Sequence, residues 1–163
     1  MGRRVVEVEF VPEAAGVVVD HMARLAAAED GWINLLPGVI EDDESEGPER
    51  PSALSALFGS PQAPVSMGTW FPARQDRRPR EVTLGIVHPR GRRAVDQLRG
   101  MGIALPGDWR VRQDHARRGL IVLVPRSVPH PVVLDWALRA GEALATAPLS
   151  GSWQARIYEP AVR

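Results

Sequence analysis

Apolar residues along the chain follow two spacings, one suited to strands and one to helices. Val5, Val6, Val8 and Phe10 are β-formers and predict a short strand over Arg4–Phe10. Pro12 suits the first turn of a helix, with Glu13 favourable near its positive end. Ala15, Val18, Met22 and Leu25 then recur at helical spacing through Glu29, and Asp30-Gly31 is a stop signal. Trp32–Ile40 is apolar but short, and residues 41–64 are rich in Pro, Gly, Ser and acid, broken by Leu54–Phe58, a single helical turn. Val65–Phe71 reads as another strand ended by Pro72, and residues 73–80 as an arginine-rich connector.

From Glu81 onward the pattern sharpens. Glu81–His88 reads as a strand and Arg90–Met101 as a helix stopped by Gly102. Trp109–His115 and Leu120–Val124 form a strand pair linked by Ala116-Arg117-Arg118-Gly119, then come a helix over Pro131–Ala145 and a last strand over Trp153–Tyr158. The order β-α-β-β-α-β is the ferredoxin-like split βαβ arrangement. Strand one (Val82-Thr83-Leu84-Gly85-Ile86-Val87) and strand three (Leu120-Ile121-Val122-Leu123-Val124) are apolar on nearly both faces, as central strands should be. The other two alternate, as half-exposed edges should.

The expected fold is therefore α+β: a single domain over residues 1–163, with a ferredoxin-like core at about 81–160 and an acidic N-terminal extension at 1–72. Two helices cover only one sheet face, and Val87, Ile121 and Leu123 on the other should not be left to water. The extension, with its Val18–Met22–Leu25 stripe, is the expected cover. The same face of a second subunit, a homodimer, is the alternative.

Composition removes several chemistries. There is no cysteine, which excludes disulfides, thiolate metal sites and cysteine nucleophiles. All twenty basic residues are arginine, which excludes lysine Schiff bases and the phosphate-loop lysine. No apolar run approaches the roughly 18–20 residues of a membrane span, and Glu7, Glu9 and Glu13 interrupt any leader-like apolar region. A cytoplasmic location, with no membrane partner and no cofactor, is expected.

The formal charge of zero conceals an asymmetry. Residues 1–60 hold twelve acids against four arginines, and residues 61–163 hold eight acids against sixteen arginines. The acidic peak at residues 41–49 reads as an exposed loop without the ligand spacing of a calcium site.

Two stretches, Gly31-Trp32-Ile33-Asn34-Leu35-Leu36-Pro37 and Trp109 through Gly119, resemble an uncharacterised hypothetical-protein family of high-GC bacteria, over most of the chain. The resemblance implies no activity, cofactor or site residue.

Two places could carry chemistry. His88-Pro89-Arg90-Gly91-Arg92-Arg93 lies between a strand and a helix N-terminus, where free backbone N–H groups attract anions. Arg90, Gly91, Arg92 and Arg93 are the candidate anion site. Three arginines in the first turn would oppose the helix dipole by roughly 0.3–1 kcal/mol each unless an anion or a carboxylate offset them. The second place is Asp114-His115. With His88 it offers candidate catalytic residues, an imidazole base and a carboxylate to orient it. Counting alternation puts His88 and His115 on the helix-facing side and Asp114 opposite. Asp and His at a hairpin end also serve as plain turn residues. No histidine spacing indicates a metal site, and the five tryptophans read mainly as core.

The leading functional expectation is a non-catalytic binding or protein-interaction module. The first alternative binds a nucleic acid or a phosphorylated small ligand through the arginine-rich C-terminal half. Nucleic acid is the less favoured ligand, because the two expected central strands lack the stacking aromatics of sheet-borne RNA binding. The second alternative is a small-molecule enzyme using His88, Asp114 and His115.

Overall fold

The computed structural model describes residues 2–40, 65–76 and 80–161. The acidic stretch at 41–49 and the turn expected at 54–58 lie outside the described residues. The elements are β1 (Val5–Phe10), a 3-10 turn (Pro12–Ala14), α1 (Gly16–Ala28), β2 (Trp32–Val39), β3 (Met67–Phe71), β4 (Val82–Val87), α2 (Ala94–Gly100), β5 (Arg110–His115), β6 (Gly119–Val124), α3 (His130–Leu144) and β7 (Leu149–Tyr158). Among the described residues, no helix is long and apolar enough to cross a membrane.

The seven strands form one antiparallel sheet in the order β1-β7-β2-β3-β4-β6-β5. Every second residue faces one core. Leu84, Leu120, Val124 and Ile157 are fully buried there, each side chain contributing about 1.5–3 kcal/mol. All three described helices pack on this side. Val18, Met22 and Leu25 of α1 and Val133, Leu134 and Ala137 of α3 join the same core as Ile33, Trp70 and Leu84 of the sheet. Helix α1 ends where Glu29 turns left-handed (φ 51°) and its N–H bonds the Ala26 carbonyl. Gly31 follows at φ 89°, with the Tyr158 carbonyl occupying the place of a Cβ.

Three expectations need correction. The strand at 82–87 is interior and lies beside 120–124, which lies beside 110–115, as three strands of a ferredoxin-like core would. The fourth does not close the unit: β3 takes the place beside β4, and β7 lies three positions away between β1 and β2. Alternation in β7 reflects a core face and an open face, because a strand interior to a one-sided sheet alternates like an edge strand. Second, the described part of the N-terminal extension does not lie over the open face. Its described strands join the sheet edge to edge and its helix joins the existing helix layer. Third, α2 begins at Ala94 rather than Arg90, because Arg93 is left-handed (φ 59°). The arginines precede the helix and do not load its first turn.

On the open face, Ile121 and Leu123 are half-buried and Val87 is 49% exposed. Trp32 stacks on Tyr158 at 4.5 Å, with Arg3 above its ring. The other four tryptophans belong to the core.

Candidate functional site

A single extra residue sets the direction of the side chains at the end of β5. Val111 pairs with Val122 and Gln113 with Ile121, so Arg112 is a bulge. Beyond it the alternation is reversed. Asp114 stands opposite the fully buried Leu120 and faces the helices, while His115 stands opposite Gly119. This overturns the alternation count that placed His115 on the helix-facing side.

Turned inward, the Asp114 carboxylate meets the start of α2. One oxygen accepts from the Ala94 N–H at 3.0 Å and the other from the Val95 N–H at 3.2 Å. Helix α2 has no cap of its own, so a residue from a distant strand serves as one. The positive helix end that the sequence offered to an external anion is thereby satisfied from within.

His88 lies on the core side at the end of β4 and is 5% exposed. Its Nδ1 accepts from the Arg90 N–H at 3.2 Å, which places the proton on Nε2. Nε2 is buried without a partner among the described residues. Burial holds the imidazole below its usual pKa, against the opposing pull of Asp114. His115 is a turn residue: its Nδ1 accepts from the N–H groups of Arg117 and Arg118, both at 3.1 Å.

Among the described residues, the three candidate catalytic side chains make no hydrogen bond to one another. Asp114 uses both oxygens on α2, His115 is engaged by its turn, and the Nδ1 of His88 is held by the Arg90 backbone. Among the described residues, no three His, Asp or Glu side chains gather as metal ligands.

The anion candidates divide. Arg90 turns away, and its guanidinium donates to the Ala145 carbonyl at 3.1 Å. Gly91 adopts φ 76°. The Gln97 amide donates to the carbonyls of Arg90 and Arg92, both at 2.9 Å, and holds the loop against α2. Arg92 and Arg93 project into an open cleft of about 600 Å³, lined also by Asp114, His115, Ala116 and Arg117. The guanidiniums of Arg92, Arg93 and Arg117 are exposed and make no hydrogen bond or ion pair among the described residues.

Sequence reasoning joined His88 with Asp114 and His115 but missed that Arg92 and Arg93 share a cleft with Asp114 and His115, with Arg117 as a member. A signal was present. In an antiparallel pair, the C-terminal end of strand 82–87 must lie beside the start of strand 120–124, where the 116–119 link ends. No known protein family, curated protein or solved structure matches the chain.

Proposed function

We propose that the chain is a cytoplasmic, non-catalytic binding module and that the arginine cleft takes a phosphate-bearing ligand. The observation that carries this reading is the convergence of Arg92, Arg93 and Arg117 on one open cleft whose lining carboxylate is already bonded to α2. Three unpaired cations lining one cleft repel one another, and a dianion placed among them offsets that repulsion. Planar guanidiniums match phosphate oxygens in paired hydrogen bonds. The enzyme alternative ranks lower, because Asp114 and the Nδ1 atoms of His88 and His115 accept from backbone N–H groups rather than bonding to one another.

Calorimetric titration with pyrophosphate and with a 12-nucleotide single-stranded DNA at low salt tests the reading. Pyrophosphate is expected to bind the native chain, and the Arg93→Ala/Arg117→Ala double variant at least tenfold more weakly, since a hydrogen bond to a charged group contributes about 1.5–3 kcal/mol. Tighter binding of the DNA with a steep salt dependence would assign the phosphate to nucleic acid. Absence of binding to either probe, or equal binding by the double variant, overturns the proposal.

A further inference from the structure

The helix layer carries a second concavity, away from the arginine cleft. The first halves of α1 and α3 flank a groove of about 410 Å³. The half-buried Ala15 and Val19 line it above the buried Leu134 and Leu138, and Asp20 and Asp135 stand beside them. Gly16 contributes open space, with no atom within 4 Å of where its Cβ would be. Both carboxylates are exposed. Asp20 makes no hydrogen bond or ion pair among the described residues, and Asp135 has only a 3.7 Å pairing with Arg139, itself half-exposed. Val17 and Val132, next in sequence to the lining residues Gly16 and Pro131, are 44% and 50% exposed.

We propose that this groove docks a basic amphipathic helix from another protein. An apolar floor between two helices receives side chains spaced i, i+3, i+4 and i+7 along one face of a third helix. The two carboxylates select the charge flanking that face, because opposite potentials favour the encounter and like potentials oppose it. The same charges reject other occupants. Residues 41–64 of this chain carry six acids against one arginine and would be repelled. A second copy docked about a two-fold axis would set the same carboxylates against each other. An anionic lipid surface is repelled likewise.

The test uses the full chain and two fluorescent 14-residue helical peptides, one with a leucine stripe and lysine elsewhere, the other with glutamate in place of lysine. Fluorescence anisotropy at 0.15 M salt is expected to show binding of the leucine–lysine peptide only. The Asp20→Asn/Asp135→Asn double variant should bind it at least tenfold more weakly. That variant keeps the acidic residues 41–49, so equal binding by variant and native chain would place the peptide elsewhere and overturn the proposal. So would binding of the glutamate peptide, or no binding of the lysine peptide. Circular dichroism checks that the variant folds, as expected when both replaced side chains are exposed.

Discussion

Arg112 decides where Asp114 points. As the extra residue in β5, it reverses the alternation and turns the Asp114 carboxylate onto the Ala94 and Val95 N–H groups. A strand without the bulge would leave Asp114 on the opposite face and α2 uncapped.

Replacing Asp114 with Ala should therefore cost about 1–2 kcal/mol, the scale of a lost helix cap. Asn, which retains one acceptor oxygen, should cost less. Urea unfolding gives the magnitude, and amide exchange gives the location. Protection should fall first at Ala94 and Val95, and uniform loss across the sheet would contradict a local capping role.

Arg93 presents a trade between stability and binding. A non-glycine residue at φ 59° is strained, and glycine is not. Arg93→Gly should leave stability unchanged or raise it by up to about 1 kcal/mol, while weakening pyrophosphate binding. Thermal unfolding and calorimetry on the same sample check both. A variant that loses stability would show that the side chain supports the loop.

Acid should destabilise the protein through its buried histidines. His88 has its pKa lowered chiefly by burial, so below pH 6.5 the unfolded chain takes up a proton that the native ring refuses. Stability is full above that pH, falls as the pH drops through 6.5, and stops falling once the native ring protonates too. His21 and His130 shift in the same direction, also chiefly by burial. Asp30, lowered chiefly by its hydrogen bond from Arg3, adds its loss only around pH 3.8 and below. His88→Gln should reduce the slope of stability between pH 7 and 5 in urea titrations, and an unchanged slope would remove His88 from the set.

Gly119 closes the β5–β6 hairpin at φ 86°, with the Ile86 carbonyl where a Cβ would sit. Gly119→Ala should destabilise the fold by at least about 1–3 kcal/mol, the scale of the backbone strain before the clash with the Ile86 carbonyl is added. The neighbouring Arg118→Ala, at an exposed turn position, should change stability by no more than about 0.5 kcal/mol. Parallel thermal melts of the two variants check the contrast.

Spacing alone placed most of the elements. The strands at 82–87 and 120–124 are apolar on nearly both faces and are interior to the sheet, as expected from the sequence. The helical stripe from Ala15 to Leu25 is the buried side of α1, since residues three and four apart share a helix face. Beyond these, the sequence nominated arginines 92 and 93 and the Asp114–His115 pair without joining them. Tertiary pairing decided the rest. Alternation in β7 does not say which neighbours it will find, and β3 displaced it beside β4 because long-range pairing depends on which edges meet. The direction of Asp114 depended on the bulge at Arg112, which shows only in the register against β6. Local preference governs which residues become helix or strand, but the partner across a sheet and the face of a side chain after a bulge are properties of contacts between distant segments.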